Sequence, residues 1–139
     1  MRIVLDTNVW LAAFLTHGRC QELVEYCLES HALFVSSFLL KEIEEKLAKK
    51  LRFPADKVLG LVRFVAGQCQ LVQEAKLGKR ICRDPDDDHI IATALGAKAH
   101  CLVSGDKDLQ DLKRVGPIVI VSPADFWRWE KEGTRGTAR

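Results

Sequence analysis

The chain has 139 residues, 47% hydrophobic and 29% charged, a balance that builds one soluble domain and excludes a mostly disordered chain. The formal net charge is only +2, so charge alone does not announce a nucleic-acid partner. No run reaches the roughly 18 apolar residues of a membrane span, and the five cysteines (Cys20, Cys27, Cys69, Cys82, Cys101) form no C-x-x-C pair, which points to reduced cytoplasmic thiols rather than a disulfide or zinc scaffold.

Arg2–Leu5 is a short apolar run with β-branched residues that stops at Asp6, and it reads as a buried strand. Between Arg2 and Asp6 there is no apolar stretch long enough for a signal peptide. Val9–Leu15 is a short apolar helix, and Arg19–Ser30 an amphipathic one carrying Leu23, Val24, Cys27 and Leu28. Ala32–Val35 is a second strand. Ser36 or Ser37 caps the next helix, with Leu40, Ile43 and Leu47 on one face, and Pro54 ends it. Ala55–Ala66 is a helix turning Val58, Leu61, Val62 and Val65 inward, and Leu71–Val72 is a weak strand. Asp86–Lys98 is a helix whose Ala92, Ala94, Gly96 and Ala97 permit close packing. Cys101–Val103 and Ile118–Val121 are strands, and Ser122-Pro-Ala-Asp125 opens a last helix with a capping box. Residues 131–139, small, polar and basic, read as a flexible tail, which leaves a domain over residues 1–130.

Continuous apolar strands alternating with helices predict an α/β domain, a central parallel sheet of about four to five strands covered on both faces. In such sheets a site lies beyond the carboxyl ends of the strands. The acids fall there. Asp6 ends the first strand, Glu42 is in the second turn of the helix after the second, Asp86, Asp87 and Asp88 open a helix, and Asp106 follows Cys101–Val103. Taken singly, each has an ordinary use, as a helix-dipole partner, a turn cap or a solvated charge. Asp6 is the exception, because a carboxylate directly after a buried strand needs partners. Clustered carboxylates repel and raise one another's pKa, and a hard divalent cation relieves this; oxygen-only ligands select Mg²⁺ or Mn²⁺, which act mainly on phosphates.

The segments Ile3–Trp10 (IVLDTNVW), Ser36–Glu42 (SSFLLKE), Asp84–Leu95 (DPDDDHIIATAL) and Leu102–Leu109 (LVSGDKDL) resemble, in order and spacing, the motifs of PIN-domain ribonucleases, over about residues 1–125. Within that family the chain is most similar to the bacterial and archaeal toxin branch related to VapC toxins. The resemblance implies a single PIN-like domain and a Mg²⁺- or Mn²⁺-dependent endoribonuclease acting on single-stranded or loop RNA. It matches Asp6, Glu42, Asp88 and Asp106 to the family's four acids, with Asp6, Asp88 and Asp106 holding the metal and Glu42 completing the cluster. Asn8 and Ser104 match polar supporting residues. Ungapped counting from Val103–Asp106 places Asp88 on the third acid; a one-residue shift selects Asp87 instead, with Asp87 and Asp84 otherwise supporting. The implied reaction is in-line attack of water on the phosphodiester, leaving 5′-phosphate and 3′-hydroxyl ends.

Arg80, Arg83, Lys107 and Lys113 are basic residues near the acids, candidates for RNA contact or for plain surface charge. His89 adjoins Asp88. Trp127 and Trp129 are two apart on the last helix and face different sides, one toward the core and the other toward a dimer partner or a base. The family branch further implies a homodimer and a small antitoxin partner that covers the acidic groove. Two other readings stay open. Gly105, Asp106 and Asp111 fit a haloacid-dehalogenase-type phosphatase, although Asn8 stands where that class needs a second Asp. A non-catalytic PIN-like binding module is the other.

Overall fold

The computed structural model describes residues 1–137, with side chains described through Gly133. The strands are β1 (Arg2–Leu5), β2 (Ala32–Val35), β3 (Gln70–Leu71), β4 (Cys101–Val103), β5 (Arg114–Val115) and β6 (Ile118–Val121). The helices are α1 (Thr7–Leu15), α2 (Arg19–Ser30), α3 (Ser37–Glu45), α4 (Ala55–Gln68), α5 (Pro85–Gly96), α6 (Lys107–Leu112) and α7 (Pro123–Thr137). A wide π turn over Lys46–Lys50 extends α3.

One sheet runs in the order β3-β2-β1-β4-β6-β5. Every pairing is parallel except β5 with β6. The expected α/β architecture is present, with six strands in place of four to five. The additional strand is β5, which turns through Gly116 at φ +56° into β6. The weak strand expected at Leu71–Val72 is present one residue earlier, as β3.

The centre of the sheet is dry. Ile3, Val4, Leu5, Cys101, Leu102 and Val103 are all but inaccessible, because helices cover both faces of these strands. Leu39, Ile43 and Leu47 continue the core from α3 into its π turn, while Leu40 is half-buried. Packing is tightest where α5 passes the strand-to-helix loop behind β3: a Cβ on Gly96 would sit 2.0 Å from the Gln73 carbonyl oxygen. Only a residue without a side chain fits there, and Ala75 N–H closes the contact on the Ala92 carbonyl at 2.9 Å.

α7 does not stop at residue 130. It continues through Thr137, so the residues expected to form a tail extend the last helix, and 138–139 lie outside the described residues. Gly133 comes so near the start of the chain that a Cβ there would sit 2.8 Å from the Met1 methyl. Trp129 packs on the core beside Phe126, whereas Trp127 is 38% exposed and lies against Tyr26 of α2. All five cysteines are free thiols. Among the described residues no helix is long and apolar enough to cross a membrane.

Candidate active site

Asp6 leaves the carboxyl end of β1 and caps α1. Its Oδ1 accepts from Thr7 N–H at 2.7 Å and its Oδ2 from the Ser104 hydroxyl at 2.7 Å. Ser104 in turn accepts from Asp106 N–H at 3.0 Å, so one buried hydroxyl ties the loop after β4 to the acid after β1. Asp106 caps α6 by accepting from Asp108 N–H at 2.8 Å. The Thr7 hydroxyl donates to Glu42 Oε1, which brings α3 into the same cluster. Sheet order explains the convergence. β1 is central and β2 and β4 flank it, so the segments leaving these three strands meet at one edge.

The electrostatics agree. Asp6 is 5% exposed, and burial pushes its carboxyl above the ordinary value, opposed by the Ser104 and Thr7 hydrogen bonds. Burial also raises Glu42, which feels the charges of Asp6 and Asp86. Asp87 moves furthest. Burial, followed by the charges of Asp106, Asp84 and Asp6, pushes it up to about 7. Lys46, one helical turn beyond Glu42, is the cation that partly offsets this repulsion at both Asp6 and Glu42.

Asp88 lies elsewhere. Its Oδ1 accepts from Cys82 N–H at 2.7 Å, and both its oxygens accept from Ile81 N–H at 3.2 Å. Desolvation alone would raise its carboxyl, but the Cys82 and Ile81 donors and the Arg80 charge leave it below the ordinary value. Asp88 pins the loop before α5, whereas Asp87 is the buried one of the three and feels the charges of Asp106, Asp84 and Asp6. The cause is the helical rotation of about 100° per residue, which turns adjacent aspartates to different surroundings. Asp84 caps α5 by accepting from Asp86 N–H at 3.0 Å.

Asn8 is exposed on the first turn of α1. Arg80 is spent on the same loop, its guanidinium donating to the carbonyls of Cys82 and Arg83. Arg83, Lys107 and Lys113 are exposed; Arg83 lines a cleft of about 190 Å³ with Asp108 and Asp111, and Lys113 ends α6. His89 stacks on Phe38 and bonds Glu74. Two residues of the site escape sequence reasoning, Thr7 and Lys46. The sequence carries a signal for the second, a Glu-Lys pair at i, i+4 on a helix after a buried strand.

Among the described residues, no three His, Cys, Asp or Glu side chains converge as the direct ligands of one metal ion. A closed zinc-type cage is therefore absent among them. The donor set still suits a hard cation. It includes Asp6 and Asp87, both held above the ordinary carboxylate value by burial and neighbouring charge, and Mg²⁺ needs only one or two direct carboxylates, keeping the rest of its shell as water.

The profile of the PIN domain family matches residues 2–108. No curated protein matches the sequence. Among solved structures, the fold is similar to a chain of VapBC2 from Rickettsia felis bound to a DNA fragment from their promoter, with TM-score 0.65 and 16% identity over 88% of this chain and 98% of that one. It is similar to a chain of VapBC-1 from nontypeable Haemophilus influenzae, with TM-score 0.63 and 14% identity over 89% and 99%. It is also similar to a chain of FitAB bound to the IR36 DNA fragment, with TM-score 0.55 and 20% identity over 87% and 94%.

Proposed function

The chain belongs to the PIN domain family, and from that premise we propose that it is a divalent-metal-dependent endoribonuclease cutting single-stranded or loop RNA, the toxin of a toxin–antitoxin pair. PIN domains are generally nucleases. The observation that carries the reading is the gathering of Asp6, Glu42, Asp87 and Asp106 at one sheet edge, with Asp87 pushed up to about 7. Such an arrangement is poor for stability and useful only when positive charge arrives.

In this reading Asp6, Asp87 and Asp106 hold Mg²⁺ or Mn²⁺, directly or through water. The bound ion supplies charge to the scissile phosphate and to its leaving oxygen. The protein's own groups do the rest. Ser104 fixes the rotamer of Asp6 and ties it to the backbone of Asp106. Thr7 orients Glu42 through Oε1, and a carboxyl raised by burial is a better proton acceptor, so Glu42 takes the proton of the attacking water. Attack in line on phosphorus breaks the bond to the 3′-oxygen and leaves 5′-phosphate and 3′-hydroxyl ends. Arg83 and Lys107, both exposed, contact the RNA backbone.

The structurally similar VapBC and FitAB are two-component assemblies. By the same reading this chain takes a small antitoxin, whose basic side chain would enter the acidic edge. Trp127, exposed over α2, is the natural centre of a homodimer contact. A dehalogenase-type phosphatase loses its ground, since Asn8 offers no acid and Asp6 is engaged by Thr7 and Ser104 through both oxygens.

The test is cleavage of an end-labelled single-stranded RNA with Mg²⁺, Mn²⁺ or EDTA by wild type and Asp6→Asn. Metal-dependent cutting to 3′-hydroxyl ends, lost in the variant, supports the reading. No cutting by folded, metal-loaded protein across a broad RNA pool would favour the non-catalytic binding module.

A further inference from the structure

Outside the acidic cluster one ring pair stands out, His89 exposed and Phe38 half-buried against the core. Phe38 of α3 and His89 of α5 stack with centroids 4.0 Å apart and planes 12° from parallel. Each ring is held in place. Phe38 follows Ser36 and Ser37 at the start of α3, and the Ser36 hydroxyl bonds Thr93 of α5 at 2.6 Å. His89 Nδ1 bonds Glu74 at 2.8 Å, while its own side chain stays 45% exposed. Glu74 is itself placed by the tight pass of Gln73 over Gly96.

The Phe38 ring is also a shared wall between two cavities. On one side is a hollow of about 270 Å³ lined by Lys41, Glu42, Glu45 and Asp86, which contains one acid of the proposed site. On the other is a hollow of about 380 Å³ lined by Ser37, Leu71, Val72, Gln73 and Glu74. The second lies in the range of small-ligand pockets, about 300–1,000 Å³. The Phe38 ring and the 61% exposed Leu71 are set there among a hydroxyl, an amide and a carboxylate.

We infer that this second hollow, walled by the Phe38 ring that His89 backs by stacking, is a nucleobase site that receives a base adjoining the scissile phosphate. The inference rests on the ribonuclease reading above and names how that site grips its substrate. A flat ring pre-ordered by a stacking neighbour costs little entropy to bind, and stacking accepts any base. Ser37, Gln73 and Glu74 supply donors and acceptors at the rim for the base edge. The shared wall sets the spacing, with phosphate on the Glu42 side and base on the Gln73 side.

A short single-stranded RNA carrying 2-aminopurine, titrated in EDTA so that nothing is cut, reads stacking directly as fluorescence quenching. Wild type should quench it. Phe38→Ala and Phe38→Leu, the second keeping apolar bulk without a π face, should lose the quench and bind at least about fivefold more weakly. Phe38→Trp should restore both, which separates stacking from any loss of folding. Equal quenching by wild type and the Ala and Leu variants would overturn the inference. So would absence of quenching by wild type, which would leave the surface to a protein partner. The two readings fail separately: metal-dependent cutting without quenching sinks the base site alone, and quenching without metal-dependent cutting sinks the nuclease and leaves the platform standing.

Discussion

Asp87 shows how much a single residue can tell about this site. Its carboxyl has an ordinary value of 3.8 and is pushed up to about 7 in the fold by burial and then by Asp106, Asp84 and Asp6. A carboxyl raised on folding binds its proton more tightly in the folded chain. It therefore costs no stability below about pH 4, and its cost grows as pH rises toward 7. In metal-free protein Asp87→Asn should raise the urea midpoint at pH 8, and the gain should vanish near pH 4; an unchanged midpoint at pH 8 would mean the carboxyl is not strained. Asp6 is legible in the sequence because a carboxylate behind RIVL must find partners, and it finds Thr7 and Ser104. The choice between Asp87 and Asp88 is not legible. Three consecutive aspartates all suit a helix start, and only the packed rotation of α5 decides which one turns inward.

Elements are legible in proportion to their hydrophobic pattern. β1, β2, β4, β6 and the long helices follow apolar runs or amphipathic stripes and lie close to where those patterns place them. β5 escapes because two residues carry no period and only pairing through the Gly116 turn makes them a strand. α6, six residues long, has little sequence signal beyond its caps and Leu109. The end of α7 reads as a tail because Gly and Thr are poor helix formers; the helix is seated by its neighbours, including the Tyr26 hydroxyl on Glu130 at 2.7 Å. α5 carries the sharpest test at this scale. Gly96→Ala would drive a methyl into the Gln73 backbone, which cannot swing aside as a side chain end can. The expected loss is about 1–3 kcal/mol by chemical denaturation, with greater protease sensitivity over the Gln73–Ala75 loop. A neutral Gly96→Ala would show that the close pass is not required.

Across the whole molecule the first residue, the end of α2 and α7 are joined at one point. The Met1 ammonium lies 2.9 Å from His31 Nδ1, Glu130 lies 3.8 Å from Nε2, and Tyr26 and Phe126 pack edge-on to the ring. Burial and then the Met1 charge lower the His31 pKa below 6.5, with Glu130 opposing. A histidine lowered on folding contributes stability that is complete above about pH 6.5 and is lost as pH falls below it, since the unfolded chain takes the proton first. The raised acids act in the opposite direction, so a difference between two proteins is the clean readout. His31→Gln should flatten the fall in stability between pH 7.5 and pH 5.5 relative to wild type; identical profiles would remove His31 from the balance.

The acidic edge is where β1, α3, α5 and the loop after β4 meet, and one comparison tests that directly. Wild type, Asp87→Asn and Asp88→Asn, each shown folded by circular dichroism, are assayed on labelled single-stranded RNA with Mn²⁺. With Asp87 at the acidic edge, Asp87→Asn should lose at least about a hundredfold in rate, while Asp88→Asn, whose amide oxygen still accepts from Cys82 N–H, should stay within a few fold of wild type. Full activity in Asp87→Asn, or loss confined to Asp88→Asn, would contradict it.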